Sequence, residues 1–181
     1  PESAKSDRVR QFLPVVAKYA KEFKIPPPLV LAIMHTESAF NPLAQSHVPA
    51  FGLMQIVPKS AGLDVQRLIY KRNKAPSSTM LFKPDINIQH GCAYLHILKY
   101  RYLKGIKNQE SLEHCCIAAY NTGAGNVARA FIGNTNISKA FKVINKLSSD
   151  EVYMRLRKKL THKEARDYVL RVNQHKAIYT V

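Results

Sequence analysis

The chain has 181 residues, 46% of them hydrophobic, which is one domain's worth of material with enough apolar surface to bury a core, and this excludes a disordered polymer. Its longest uninterrupted apolar runs, such as residues 29–34, fall far short of the roughly 18 residues that span a bilayer. Lys and Arg number 28 against 12 Asp and Glu, and the resulting +16 implies a polyanionic partner or surface: nucleic acid, anionic lipid or an acidic wall polymer.

The basic residues are scattered between predicted helices, at 71–72, 99–104 and 155–159, so the charge reads as long-range steering. Cys92, Cys115 and Cys116 make an odd count with no CxxC spacing, so buried free thiols are expected, with a bridge from Cys92 to Cys115 or Cys116 as the alternative in an oxidising compartment. The chain opens without an initiator Met, a basic n-region or an apolar h-region, and any targeting segment is expected to have been removed.

In chain order, Val9, Phe12, Leu13, Val16 and Phe23 keep a helical period over 7–23, with Pro14 kinking that helix or opening its main part. Pro26, Pro27 and Pro28 make a rigid break. A second helix is predicted from Pro28 to near Asn41, where Pro42 disfavours helical angles in the residue before it. Within it Leu29, Ile33 and Glu37 share one face, so a carboxylate continues a stripe that is otherwise apolar. Burial and the negative end of the helix dipole both disfavour the ionised form there, the condition a general acid needs near neutral pH. The plainer alternative is a boundary residue whose head reaches water.

Residues 41–51 read as loop, and Pro58 with Gly62 frames a single helical turn over 58–61. The stretch 63–80 is the least periodic, suited to a small hairpin or a loop over a groove. Ile88, Gly91, Cys92, Leu95, Leu98 and Tyr102 restore the helical period, with Asp85 or Asn87 as cap, Gly105 as stop and Gly91 open to close approach by another helix. Ser111 is expected to cap a short helix that ends at the Gly-rich turn 120–125. Two capping boxes follow, Ser148 with Glu151 and Thr161 with Glu164, each opening an amphipathic helix. The fold class is therefore all-α, one domain over 1–181 with the helix 7–23 packed on it. No segment alternates at period two long enough for a confident strand.

Glu37 has no second carboxylate until Asp64, and the acidic pairs at 150–151 and 164/167 sit in helix starts where dipole complementarity explains them. There is no GxSxG around Ser38 and no HExxH, and the seven histidines lack metal spacing, so no metal and no cofactor are expected.

Four motifs then stand in order: Glu37-Ser38-x-Phe40-Asn41-Pro42 with Ser46, Gly52-Leu53-Met54-Gln55, Ala119-Tyr120-Asn121-x-Gly123-x-Gly125, and Glu164-Ala165-Arg166-x-Tyr168. Together they resemble the soluble lytic transglycosylase (SLT) domain, over nearly the whole chain. The stretches 86–95, 102–106 and 150–153 are similar to the membrane-bound lytic murein transglycosylases of the C and E types.

The resemblance implies a lysozyme-like helical fold and non-hydrolytic cleavage of the β-1,4 bond between N-acetylmuramic acid and N-acetylglucosamine in peptidoglycan. Glu37 takes the place of the family's single catalytic residue. Ser46 corresponds to a serine that hydrogen-bonds near the acid or the N-acetyl group. Gln55 and Met54 match positions that meet sugar, Gly52 serves backbone reach, and Tyr120 corresponds to a tyrosine whose hydroxyl points at the carboxylate, with Asn121 beside it. Glu164 and Tyr168 complete the matched set; a helix cap and a core position are their ordinary alternatives, as a loop hydroxyl is for Ser46 and core packing for Met54.

Pro49 departs from the family pattern, which has a small or polar residue there. The resemblance further implies a monomer acting on glycan strands in the periplasm, anchored to the outer membrane through a lipidated cysteine upstream of Pro1, with no nucleic acid as partner. A goose-type lysozyme-like hydrolase, and a non-catalytic module for wall glycan or nucleic acid, are the two alternatives.

Overall fold

The computed structural model describes residues 2–180, with side chains from Asp7 onward. Among the described residues the chain forms ten α-helices: α1 Glu2–Phe23, α2 Pro27–Ser38, α3 Leu63–Leu68, α4 Ser78–Leu81, α5 Pro84–Ile97, α6 Gln109–Thr122, α7 Ala124–Ile132, α8 Ile137–Ile144, α9 Ser149–Lys159 and α10 Lys163–Tyr179. π-helical turns lead into α3 (Pro58–Gly62) and extend α5 (Leu98–Tyr102). Pairing of the β type is confined to isolated bridges, Gln45 with Phe51 and Phe51 with Ile56. The all-α expectation holds, and no hairpin forms over 63–80. Two short helices stand there instead, each too brief to reveal a period, α3 burying Val65 and α4 burying Leu81.

The chain folds as two compact units, one holding the residues up to His96 together with the tail from Gln174, the other holding residues 97–173. In the first unit α1 turns Phe12, Val16, Ala20 and Phe23 inward and packs on α2. Leu13 departs from the predicted stripe and is 42% exposed, while Pro14 sits within the continuous helix. On α2 every residue from Leu29 to Met34 is buried, as in a helix surrounded by core.

That helix ends at Ser38, three residues before the expected stop. Ala39 and Phe40 adopt left-handed angles, φ 49° and 62°, which for non-glycine residues costs about 1–2 kcal/mol each. The turn carries Phe40 into the core, where it is only 1% exposed, and burying a Phe side chain offsets the cost by about 1.5–3 kcal/mol.

In the second unit α6 packs on α7 and α9, and α7 packs on α8 and α9, closing over Cys115, Ile117, Val127, Ala128, Ala140, Val152 and Leu156. Asn145, just past α8, clasps the segment after α5 with both ends of its amide: Nδ2 donates to the Gly105 carbonyl at 2.9 Å, and the Lys107 N–H donates to Oδ1 at 2.9 Å. The Ser148–Glu151 capping box is present in full.

Three cap assignments are corrected. Asn108, not Ser111, caps α6 by accepting from the Ser111 N–H at 2.9 Å. The helix α10 opens at Lys163, so Thr161 lies outside it and forms no box with Glu164; the His162 carbonyl accepts the Arg166 N–H instead. Asn87 lies inside α5 and is fully buried, so it caps nothing. Gly91 admits not a helix but the side chain of Met54, whose sulfur occupies the space a Cβ would take. All three cysteines are free and buried.

Candidate active site

Glu37 is in the last turn of α2, one residue from its end, at the negative pole of the helix dipole. Beneath it on the same face Leu29 and Ile33 are buried, and Met34 one turn back is buried too. Glu37 itself is half-buried, so the apolar stripe ends in a carboxylate at the margin of the core.

A tight turn faces the end of α2. Phe51 and Ile56 exchange both backbone hydrogen bonds at 3.0 Å, and Gly52-Leu53-Met54-Gln55 forms the tip between them. Gly52 is required twice over: its φ is +78°, and a Cβ there would collide with the Asn87 amide and the Leu81 carbonyl. The Ser38 hydroxyl lies 2.7 Å from the Leu53 carbonyl and 3.1 Å from the Met34 carbonyl, so the residue next to Glu37 ties α2 to the turn.

Asn87 holds the turn from α5. Its Oδ1 accepts the Met54 N–H at 2.7 Å, and its Nδ2 donates to the Phe51 and Leu81 carbonyls, each at 2.7 Å. Every hydrogen of that amide is used, which is the condition for burying a polar side chain without loss. Sequence reading missed this residue as a site element, although Asn87 shares the face of Gly91 and Leu95 at a spacing of four and so points to the core.

The remaining expected residues of the first unit take supporting positions. Met54 is fully buried against Gly91, and its side chain is core. The Gln55 amide donates to the Ala44 and Gly52 carbonyls at 3.1 and 3.0 Å and so stiffens its own loop. Ser46 is half-buried, and its Oγ accepts the Ala50 N–H at 3.1 Å; with the Ser46 N–H to Ala50 carbonyl bond this closes the loop that contains Pro49, whose preceding peptide is cis.

In the second unit Tyr120 and Asn121 are half-buried in the last turn of α6, before the break at Gly123. Asn126 Nδ2 donates to the Thr122 carbonyl and hydroxyl, both at 3.0 Å, and so fixes the step from α6 to α7. Glu164 is exposed in the first turn of α10, and Tyr168 is buried on the apolar face of the same helix with Ala165, Val169 and Val172. The structure thus draws Ser38, Gly52, Met54, Gln55 and Asn87 into one framework beside the helix of Glu37, and sets Tyr120, Asn121, Glu164 and Tyr168 within the other unit.

Comparison with known proteins bears on this arrangement. The family model described as the transglycosylase SLT domain matches residues 14–143. Membrane-bound lytic murein transglycosylase C of Pectobacterium atrosepticum is 44% identical over 172 residues, covering 95% of this chain and 47% of that protein. The protein of the same name from Sodalis glossinidius is 43% identical over 166 residues, 92% of this chain and 46% of its own length. The chain therefore spans about half the length of the curated relatives it matches. Among solved structures, an inactive mutant of lytic transglycosylase Slt from Pseudomonas aeruginosa superimposes with a TM-score of 0.68 at 27% identity, over 91% of this chain and 23% of that one. The 70 kDa soluble lytic transglycosylase of Escherichia coli gives 0.66 at 26% identity, again over 91% of this chain and 23% of the other.

Proposed function

Because the chain belongs to the transglycosylase SLT domain family, we propose that it cleaves the β-1,4 bond between N-acetylmuramic acid and N-acetylglucosamine in peptidoglycan, with Glu37 as the catalytic residue. The observation that carries this reading is the half-buried carboxylate closing a buried apolar stripe at the end of α2, braced by a turn that Ser38 and Asn87 hold by hydrogen bonds. Glu37 first gives its proton to the glycosidic oxygen as the bond to the anomeric carbon breaks. The resulting carboxylate then takes the proton of the muramic acid's own 6-hydroxyl, whose oxygen closes on the anomeric carbon. Nothing is added or lost overall, and Glu37 ends protonated as it began.

The nucleophile belongs to the substrate, so a single carboxylate suffices where a hydrolase needs a second group to activate water. A tethered hydroxyl also gains a large effective molarity over a diffusing one. Ser46, Gln55, Tyr120, Asn121 and Glu164 are proposed to meet the glycan, with Gly52, Met54 and Tyr168 supporting them.

The products of purified peptidoglycan test this reading. Muropeptides ending in 1,6-anhydro-N-acetylmuramic acid are expected, lighter than the hydrolysis product by one water and inert to borohydride. Reducing ends as the main product, read by mass spectrometry after reduction, would replace the reading with a goose-type lysozyme-like hydrolase.

The +16 charge is proposed to draw the chain, as a monomer, to anionic wall or membrane polymers in the periplasm. Among the described residues no helix is long and apolar enough to cross a membrane, and attachment to the outer membrane through a lipidated cysteine upstream is proposed for the longer protein. Screening lengths shorten to about 3 Å at 1 M salt, so binding to insoluble peptidoglycan should weaken as salt rises while cleavage of a short soluble glycan is less affected. Equal salt sensitivity in sedimentation and turnover assays would place the charge at the reacting groups instead.

A further inference from the structure

The last turns of α10 return to the first unit and meet the two residues that precede Glu37. The ring of His175 lies flat on that of His35, centroids 3.7 Å apart and planes within 1°. The Thr36 hydroxyl is 2.8 Å from His175 Nδ1, and the Tyr179 hydroxyl is 2.9 Å from His35 Nδ1. Tyr179 also sets its ring edge-on to His35 and to Phe40, at 6.0 and 6.2 Å. Aromatic pairs left to themselves prefer offset or edge-to-face contacts, so the polar tips fix this face-to-face stack.

Proton accounting assigns direction to one of these bonds. The Thr36 hydroxyl is also 2.8 Å from the Ala32 carbonyl, which can only accept. A hydroxyl has a single proton to give. With that proton on the Ala32 carbonyl, His175 must hold a proton on Nδ1 and donate it to Thr36.

We propose that His175 and Tyr179 are positioning residues for Glu37, a proposal that rests on the reading of Glu37 as the catalytic acid. The helix ends one residue beyond Glu37, so no further turn of α2 holds it in place. Ser38 ties this last turn to the Leu53 carbonyl, and His35 and Thr36 tie it to α10. The contact comes from residues 139 and 144 positions further along the chain, beyond the stretch 14–143 that the SLT family model matches.

The test uses the full chain at a temperature where circular dichroism shows each variant folded. His175→Phe keeps a stacking ring and removes the donor, whereas His175→Asn keeps a donor near the position of Nδ1 and removes the stack. Misplacement of a reacting group by about 1 Å can cost on the order of 100-fold, so His175→Phe and Tyr179→Phe should lower kcat by roughly 10- to 100-fold with KM within about twofold of wild type. His175→Asn should recover most of the loss. An unchanged kcat in His175→Phe, or a change confined to KM, would overturn the proposal.

A second readout is independent of turnover. Nitrogen-15 NMR of the wild-type imidazoles should show His175 carrying its proton on Nδ1, and a bare Nδ1 would equally overturn it. Wild-type protein and Glu37→Gln run alongside separate the two ideas: failure of wild type to form anhydro ends defeats the function, whereas a normal wild type with indifferent His175 and Tyr179 variants defeats only the brace.

Discussion

Glu37→Gln is expected to abolish turnover of purified cell walls while the chain stays folded and still sediments with peptidoglycan. The amide keeps the shape and hydrogen-bonding reach of the acid but has no proton to give to a departing oxygen. Losing general acid–base assistance costs roughly 10²- to 10⁴-fold, and here one group serves in both steps of the proposed reaction. The side chain is half-buried at a helix end rather than enclosed, so the substitution leaves the core beneath it, Ile33 and Met34, untouched. Turbidity clearance near the wild-type rate would remove Glu37 from the chemistry.

Gly52→Ala should be the most damaging single methyl group in the first unit. The φ of +78° costs an alanine about 1–2 kcal/mol, and overpacking against a filled site adds about 1–3 kcal/mol. The methyl would meet the Asn87 amide and a backbone carbonyl, neither of which can swing aside like the tip of a flexible side chain. Shifting the amide would release the Met54 N–H and the Phe51 and Leu81 carbonyls, and each buried polar group left without a partner costs about 1–3 kcal/mol. The sum is a large part of a typical folding free energy of about 5–15 kcal/mol. Urea denaturation should therefore show a clear drop in midpoint, with activity lost in parallel as the turn beside α2 is displaced. A midpoint equal to wild type would mean that the turn relaxes freely and does not hold the site.

Local information carried the sequence reading where it succeeded. The period of α1 and the Ser148–Glu151 box are each decided within a few residues, and each is legible. The early stop of α2 was not, because it depends on where Phe40 finds its pocket, a tertiary matter that outweighs the rule for the residue before Pro42. Asn87 reads as a cap because asparagines cap helices, but two of its three partners are 33 and 36 residues away, outside any local window.

Met54 illustrates the limit from the other side. A methionine in a sugar-binding motif and a methionine in the core look alike in sequence, and the choice rests on Gly91, 37 positions on, whose missing side chain makes room for the sulfur. The half-buried place of Glu37 at the end of the apolar stripe on α2 is legible because its oddity is local: a charge that extends an apolar face.

The buried thiols give the chain an internal clock. Burial raises all three, Cys116 to about 12 and Cys92 and Cys115 well above their usual range, and only the thiolate attacks an alkylating reagent or another disulfide. In the native state each sulfur therefore reacts no faster than its surroundings open, so the alkylation rate reports an opening equilibrium rather than thiol chemistry. Cys92 times the first unit, while Cys115 and Cys116 time the second. Peptide-resolved mass spectrometry after brief exposure to iodoacetamide, along a gradient of urea below the main transition, should show which unit lets go first. In an oxidising compartment the same protection makes the sulfurs unavailable for exchange once folding is complete, so any mispairing must be settled while the chain is still open.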